Sequence, residues 1–247
     1  MERIILIETS TALCSAALAE DGVIVAYRES SAPKAHASLT AVFIREMLSE
    51  RGLGVSDCNA VCVSMGPGSY TGLRVGVSTA KGLCFGAGIP LIAVGTLETL
   101  VSQAAGIPGQ AGNDGKDGST ADYKYIVPMI DARRMEVYTA VWKPECDTAS
   151  ADSWKQITET APMIIDENSF ADILADGPVL FIGDGAGKCA DVLKHPNAHF
   201  LQCHPKASSM LAPAVRTYKE KRFEDVAYFE PFYLKEFVAT VSKKKLF

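Results

Sequence analysis

The chain has 247 residues, of which 48% are hydrophobic and 21% are charged, and its formal net charge at pH 7 is −5. This composition is typical of a folded globular protein, and the acidic balance argues against direct binding of the chain to an RNA backbone, which needs clustered cations. No apolar run reaches the ~20 residues of a membrane span and the first residues lack the layout of a signal peptide, so we expect a cytoplasmic protein without membrane contact.

The first part of the chain alternates apolar runs with helical segments. The predicted strands, each bounded by turn residues, cover 4–7, 16–18, 23–27, 60–65 and 91–94. The predicted helices cover 36–51, 70–87 and 96–105. The resulting order, βββαβαβα, predicts an α/β unit with a mixed sheet, and we assign residues 1–105 to a first lobe.

A polar, glycine-rich interval at 106–122 is predicted to be a flexible linker loop. After it the same plan begins again in a second, reduced lobe, residues 123–225. Its predicted strands cover 125–130, 136–142, 163–165 and 179–182, and its predicted helices cover 169–174, 188–193 and 207–222, with Pro213 delaying or kinking the last one. We expect the C-terminal segment, residues 226–247, to pack back on the first lobe.

The helix at 70–87 has a face with almost no side chains. Gly72, Gly76 and Ala80 recur every four residues, although glycine costs about 1 kcal/mol relative to alanine inside a helix. Such a face indicates that another backbone comes close. Two interpretations are open: the helix packs tightly on its own sheet, or it docks a second chain.

The helix at 36–51 carries more apolar residues than one buried stripe needs, which favours the docking interpretation. We therefore predict that the two helices form one partner-binding surface. Its predicted residues are Leu39, Val42, Phe43, Met47, Tyr70, Leu73, Arg74, Gly76, Val77 and Ala80.

The motif that begins at Gly66, Gly-Pro-Gly-Ser-Tyr-Thr-Gly-Leu-Arg, resembles the hallmark of the TsaB (YeaZ-like) family. The resemblance continues through Gly76, Ala80, Gly82 and Ile89-Pro90, and it includes the stretches 4–18, 36–48, 128–134, 183–186 and 233–235. It therefore covers nearly the whole chain. It implies the two-lobed actin, Hsp70 and sugar-kinase architecture.

The resemblance also implies a function. The family is a non-catalytic subunit needed to make threonylcarbamoyladenosine in tRNA beside the anticodon. The resemblance implies a catalytic TsaD-like partner, once called a glycoprotease, and a small TsaE-like ATPase. We expect the predicted partner-binding surface to pair with this sister subunit, or to form a homodimer when the sister subunit is missing. Contact with tRNA would be indirect, through the complex. A stand-alone ATP-dependent phosphotransferase of the sugar-kinase type is the alternative.

The positions that would carry catalysis in relatives of this architecture are degenerate here. The sister subunit's metal-binding His-x-x-x-His pair corresponds to Thr96 and Leu100, neither of which replaces an imidazole ligand. Glu8 stands where the family usually has Asp, in a turn that we expect to be satisfied by its own hydroxyls. We therefore expect no cofactor, no metal and no catalytic residue, with weak nucleotide contact open only at Thr9, Ser10, Gly183 and Gly185.

Three other features contain side chains that could form a functional site. Seven scattered cysteines without a Cys-x-x-Cys pair favour reduced thiols over disulfides or zinc. His36, at the head of the first helix, is expected to bond a nearby backbone or carboxylate group. Asp131, Arg133 and Arg134 form the densest polar cluster, which reads either as a salt bridge within a turn or as a contact across the lobes that positions a partner.

Overall fold

The computed structural model describes residues 1–105, 123–144 and 154–234. The linker predicted at 106–122 and the last part of the C-terminal segment, residues 235–247, lie outside the described residues. No helix in the described ranges is long and apolar enough to cross a membrane.

The first sheet has five strands in the order β3-β2-β1-β4-β5. The strands are β1 Arg3–Glu8, β2 Cys14–Glu20, β3 Val23–Ser30, β4 Ala60–Gly66 and β5 Leu91–Gly95. β1, β2 and β3 form an antiparallel meander, and β4 and β5 continue the sheet parallel to β1. The helices of this lobe are α1 Ala35–Ser49, α2 Tyr70–Ala87 and α3 Thr96–Ala105.

The second sheet has seven strands, five of which follow the order β10-β7-β6-β11-β12, while β8 pairs with β6 and β9. The strands are β6 Tyr125–Asp131, β7 Glu136–Thr139, β8 Trp142–Pro144, β9 Trp154–Gln156, β10 Ala161–Ile164, β11 Val179–Gly183 and β12 Ala198–Gln202. The helices are α4 Ala171–Asp176, α5 Ala186–Cys189 and α6 Leu211–Lys219.

The two sheets repeat one topology. β6 and β7 form an antiparallel pair in the second sheet, as β1 and β2 do in the first. β11 and β12 then extend the second sheet parallel to β6, as β4 and β5 extend the first sheet parallel to β1. Each sheet is covered by helices, so the expected α/β class, with two lobes of mixed sheets and flanking helices, is confirmed. The architecture is that of the two-lobed actin, Hsp70 and sugar-kinase-like proteins.

The cores show how the layers stack. α1 and α2 pack on one face of the first sheet, and α6 packs on its other face. α3 packs against the second sheet, whose far face is covered by α4 and α5. α1 and α2 therefore form the outer layer of the first lobe, whereas α3 lies between the two sheets.

The structure differs from the sequence prediction in the bounds of a few helices and strands. The helix expected at 207–222 begins as a 3₁₀ turn, Ala207–Met210, and becomes α-helical at Leu211, because Pro213 fits only the first turn of an α-helix. The helix expected at 188–193 is shorter and earlier, at Ala186–Cys189. β12 was not predicted, and the segment expected as one strand at 136–142 divides into β7 and β8.

The described part of the C-terminal segment runs along the first lobe. Glu224 N donates to Leu91 O at 2.9 Å, and Phe232 N donates to Met65 O at 2.7 Å. The ammonium of Lys81, on α2, donates to two carbonyl oxygens of the segment, those of Ala227 and Phe229. The segment therefore brings residues 232–234 to the end of β4 and the beginning of α2.

Candidate functional site

The small-residue face of α2 lies on its own chain. A Cβ atom on Gly72 would stand 2.1 Å from the carbonyl oxygen of Thr9, and one on Gly76 would stand 2.2 Å from Thr9 Oγ1. Ser69 N, just before the helix, donates to Ser10 O at 2.6 Å. The glycines therefore allow α2 to sit directly on the turn between β1 and β2, residues 9–13, which is the first of the two interpretations left open by the sequence.

This packing corrects most of the predicted partner surface. Six of the ten predicted residues are buried inside the first lobe: Phe43, Met47, Leu73, Gly76, Val77 and Ala80. Buried side chains have no area to offer a partner. Of the other four, Arg74 is exposed, and Leu39, Val42 and Tyr70 are half-buried. Arg74 stacks over the ring of Tyr70, which also packs against Tyr233 of the C-terminal segment.

The opposite side of α2 carries a second row of residues, three small and one large, which we call the outer ridge: Ser78, Gly82, Phe85 and Gly86. All four residues are exposed, and Phe85 is 86% exposed. Apart from the neighbouring backbone of α2 itself, no described atom lies within 4 Å of the position that a Cβ would take on Gly82 or Gly86. This ridge was not predicted, although the four-residue spacing of Ser78, Gly82 and Gly86 in the sequence is a signal for it.

The β1–β2 turn beneath α2 is polar and poorly satisfied. Glu8 is buried, its Oε1 accepts from Ser10 N at 2.6 Å, and burial raises the pKa of its carboxyl to about 7. Within the described chain, Glu8 Oε2 and the hydroxyls of Thr9, Ser10 and Thr11 have no hydrogen-bond partner. The expectation that this turn is satisfied by its own hydroxyls is therefore wrong.

The four residues proposed for weak nucleotide contact are not brought together. Thr9 is buried under α2, and Gly183 and Gly185 are buried at the start of α5, whereas Ser10 lines the cleft between the lobes. A Cβ on Gly183 would stand 2.2 Å from Met129 O, and one on Gly185 would stand 2.9 Å from a methyl of Val137. Both glycines therefore serve the close packing of β11 and α5 on the sheet.

A cleft of about 840 Å³ lies between the lobes. Its walls are the β1–β2 turn, the start of α2, the hairpin between β6 and β7, and residues 232–234. His36 lines it and donates from Nε2 to Thr11 O at 2.8 Å, which matches the backbone bond expected for this histidine. Asp184 also lines the cleft, accepts from Asp131 N at 2.9 Å, and has a pKa raised by burial.

The salt bridge within the turn, one of the two interpretations of the polar cluster in the β6–β7 hairpin, does not form between the side chains of that cluster. Asp131 pairs with Lys188 of α5, and its Oδ1 accepts from Arg133 N at 2.9 Å. Among the residues that the structure describes, its carboxylate therefore meets an ammonium and a backbone amide and no guanidinium. Arg133 and Arg134 occupy the left-handed region at the tip, with φ of 72° and 50°. Their side chains are exposed beside the cleft and, in the described ranges, no ion pair or hydrogen bond engages either guanidinium.

The two positions that correspond to the sister subunit's metal-binding histidines are part of the packed core. Thr96 and Leu100 are fully buried, and the hydroxyl of Thr96 is 2.9 Å from that of Ser64. Among the residues that the structure describes, no group of three His, Cys, Asp or Glu side chains is placed to hold a metal ion. A hydroxyl pair and a leucine therefore fill this part of α3.

Comparison with known sequences gives a consistent result. Residues 29–243 match the family model TsaD, described as tRNA N6-adenosine threonylcarbamoyltransferase. The chain is 30% identical to the tRNA threonylcarbamoyladenosine biosynthesis protein TsaB of Escherichia coli K12, over 96% of each chain. It is also 30% identical to the protein of the same name from Haemophilus influenzae, over 97% of this chain and 95% of that one.

Two further comparisons bear on the fold and on a short shared region. The structure of YeaZ from Pseudomonas aeruginosa superposes with a TM-score of 0.77 at 23% identity, over 95% of this chain and 100% of that one, so the two share a fold. The tRNA N6-adenosine threonylcarbamoyltransferase of Maricaulis maris is 43% identical over 67 residues, which is 27% of this chain and 18% of that enzyme.

Proposed function

The chain belongs to the TsaB (YeaZ-like) family, and from this premise we propose that it is a non-catalytic subunit in the biosynthesis of tRNA threonylcarbamoyladenosine. Its role is to bind and stabilise a TsaD-like threonylcarbamoyltransferase. Two relatives that carry this pathway in their names match 96% and 97% of the chain, and the family model of the threonylcarbamoyltransferase matches residues 29–243.

The proposal rests on the outer ridge of α2. A glycine inside a helix costs about 1 kcal/mol relative to alanine, and Gly82 has open space where a Cβ would fit. The packing of the isolated chain therefore does not explain Gly82, whereas a partner helix that comes close to the backbone does. Phe85 adds an apolar side chain that the partner would cover.

α1 widens this surface. α1 and α2 lie side by side on the outer layer of the first lobe, where Leu39 and Val42 are half-buried and Ala41 is exposed. A partner that seats on the outer ridge would therefore meet α1 as well. Two helices from each side would form a bundle, in which small residues bring the backbones together and Phe85 fills a pocket.

The non-catalytic assignment is supported by what occupies the relevant positions. Thr96 and Leu100 stand where the resemblance places the transferase's metal-binding histidines, and both are buried in the packing of α3. Asp184 lines the cleft, where its negative charge would repel the phosphates of a nucleotide. We propose that the chain contributes the bundle surface and that the TsaD-like partner contributes the chemistry.

Three further parts of the proposal concern the assembly. When the TsaD-like partner is missing, a second copy of the chain takes its place on the outer ridge and gives a homodimer. A TsaE-like ATPase joins the pair. The tRNA is held by the complex, because a chain with net charge −5 has little long-range attraction for a polyanion.

Size-exclusion chromatography of the chain mixed with the TsaD-like protein of the same organism tests the docking face. Gly82→Arg is expected to abolish the heterodimer, because the new side chain stands where the partner backbone must approach. Ala175→Arg, on an exposed position of α4, is the matched control and should leave the heterodimer intact. Circular dichroism should show both variants folded. A full complex with Gly82→Arg would overturn the proposal.

The stand-alone phosphotransferase remains the alternative function. It requires the isolated chain to transfer the terminal phosphate of Mg-ATP to a small acceptor in the cleft. An assay for ADP release with a panel of sugars and amino acids separates the two functions. Steady ADP release by the purified chain would favour the phosphotransferase.

A further inference from the structure

The C-terminal segment presents an aromatic ring that the fold of the chain does not use. Tyr228 is 84% exposed, although Val226 and Phe229, on either side of it in the segment, pack on the core of the first lobe. Among the described residues, only one large apolar side chain is more exposed, that of Phe85 on the outer ridge, at 86%. The segment is therefore fixed to the lobe while its tyrosine faces solvent.

Lys81 links the segment to the outer ridge. It lies one helical turn before Phe85 on α2, and therefore on the same side of that helix. Its ammonium donates to the carbonyl oxygen of Ala227 at 2.9 Å and to that of Phe229 at 3.1 Å, the residues on either side of Tyr228. The two exposed rings thus belong to adjoining elements of one surface, and an exposed apolar surface of this kind indicates a binding site.

α2 is the central element of this surface. α1 lies on one side of it, because α1 contacts β2 while α2 contacts β4, nearer the other edge of the first sheet. The C-terminal segment lies on the other side, where Glu224 N donates to Leu91 O of the edge strand β5. A partner centred on the outer ridge is therefore flanked by α1 and by the segment.

The area of a stable interface requires both flanks. Specific protein interfaces bury about 800 Å² on each partner, from roughly 20–30 residues. Three of the four residues of the outer ridge are glycine or serine, and Ala37, Ser38 and Ala41 are among the exposed residues of α1. Small residues let two backbones approach but supply little apolar area. A tyrosine from the segment supplies such area, and tyrosine is enriched among the residues that dominate binding energies.

The charge of the segment favours one kind of partner. Glu224, Asp225 and Glu230 are exposed around Tyr228, and Asp225 Oδ1 accepts from the backbone N–H of Tyr228 at 3.2 Å. Carboxylates around an apolar contact fit a partner surface that carries lysine or arginine. A second copy of the chain shares the net charge of −5, which disfavours it relative to a partner with a basic surface.

From these observations we infer that the C-terminal segment is a third element of the docking face and that Tyr228 is a main contact residue for the TsaD-like partner. The ring enters an apolar pocket of the partner that is bordered by lysine or arginine side chains. Lys81 is a positioning residue, because it holds the backbone on both sides of Tyr228. The inference rests on the proposed docking function and adds to it a contact outside the two helices.

Isothermal titration calorimetry of the full chain with the TsaD-like protein of the same organism tests the role of Tyr228. Tyr228→Ala is expected to weaken the complex about tenfold or more, whereas Tyr228→Phe keeps the ring and should bind within about threefold of the unmodified chain. The matched control, Ile164→Ala, removes a 73% exposed apolar side chain from β10 and should bind like the unmodified chain.

The outcomes of this titration decide the inference. Because Tyr228 is mostly exposed, Tyr228→Ala should melt at the same temperature as the unmodified chain, so a lost affinity is not a lost fold. Unchanged affinity of Tyr228→Ala would overturn the inference. A loss with Tyr228→Phe as large as that with Tyr228→Ala would overturn the apolar pocket, since these two variants share only the missing hydroxyl.

Failure of the docking function itself gives a different result. A full complex with Gly82→Arg contradicts docking on the outer ridge, whereas a complex that Gly82→Arg abolishes and Tyr228→Ala leaves intact contradicts only the role of the segment. Sedimentation equilibrium of the chain alone measures association with a second copy. If Tyr228→Ala weakens only this self-association, the segment contacts a second copy and the inferred partner is wrong.

A double-mutant cycle tests the positioning role of Lys81. Lys81→Met keeps the apolar stem and removes both hydrogen bonds to the segment, so it should weaken the complex by about threefold or more. In the Tyr228→Ala background the same substitution should have little further effect, because the side chain that it positions is gone. Equal losses in both backgrounds would mean that Lys81 acts independently of Tyr228 and would overturn the positioning role.

Discussion

The two sides of α2 use the same residue type for opposite purposes. On the inner side, Gly72 and Gly76 leave room for the backbone and side chain of Thr9, and a Cβ on either would overlap Thr9. On the outer side, Gly82 and Gly86 face open space. The inner glycines are explained by the chain's own fold, whereas no described residue outside α2 packs against the outer glycines, where we propose that a partner comes close.

This contrast shows why glycine spacing alone does not identify an interface. A four-residue repeat of small residues indicates that something comes close, and it does not say whether the neighbour belongs to the same chain. The decisive quantity is what a Cβ would touch. Substitutions on the two sides of α2 should therefore separate folding from association.

The largest effect is expected from Gly76→Arg. Because a Cβ at this position would lie 2.2 Å from Thr9 Oγ1, the long side chain cannot be placed without separating α2 from the β1–β2 turn. We expect a loss of about 4 kcal/mol or more in the free energy of unfolding, through overpacking and a buried charge. Urea denaturation measures it. A soluble chain with unchanged stability would mean that the inner side is not packed as described.

Glu8 should make stability depend on pH, because it lies in the turn that supports the inner side. Its folded-state pKa of about 7 exceeds the ordinary value of 4.5, so the folded chain holds the proton more tightly than the unfolded chain. The stabilisation is full below pH 4.5 and is lost as the pH rises through 7. The change is roughly 3 kcal/mol, at about 1.4 kcal/mol per pKa unit.

The variant Glu8→Gln isolates this effect. Urea denaturation of both chains at several pH values from 4.5 to 8 should show the unmodified chain losing stability relative to Glu8→Gln as the pH rises. Other groups with raised pKa values, such as Asp184, are common to both chains and cancel in the difference. A constant difference across this range would mean that Glu8 is already ionised in the folded chain at pH 4.5.

Gly72→Ala is the smallest change that tests the inner side. The added methyl would lie 2.1 Å from a backbone oxygen, that of Thr9, which cannot rotate away as a side chain can. We expect a loss of about 2 kcal/mol, although alanine is the better helix former. Thermal unfolding followed by circular dichroism at 222 nm measures it.

The sequence was sufficient for the architecture because the relevant signals are local. Apolar runs, glycine stops and the repeated order of elements predicted both sheets, and the length of α2 was correct to the residue. β12 was missed because it has only five residues and its place in the sheet is set by parallel pairing with β11, a long-range contact. α5 begins earlier than predicted, directly after Gly185, whose N–H donates to Met129 O, a long-range contact that local signals do not contain.

The candidate sites depend on tertiary contacts, so the sequence identified their parts without their arrangement. The motif around Gly66 pointed to α2, but which of its sides is buried depends on where Thr9 lies, more than fifty residues away in the sequence. Similarly, Asp131 and Arg133 were recognised as a polar cluster. That Asp131 pairs with Lys188, leaving the arginines available, follows only from the position of α5.

Gly82→Ala gives the smallest effect and the clearest contrast with Gly72→Ala, because the substitution and the helix are the same. With no described atom within 4 Å of the new methyl, the isolated chain should gain about 1 kcal/mol from the better helix propensity of alanine. The same methyl stands where a partner backbone is proposed to approach, so affinity for the TsaD-like protein should fall while stability rises. Thermal unfolding and titration of the complex measure the two effects separately. A gain in stability with unchanged affinity would leave the fold as described and remove Gly82 from the interface.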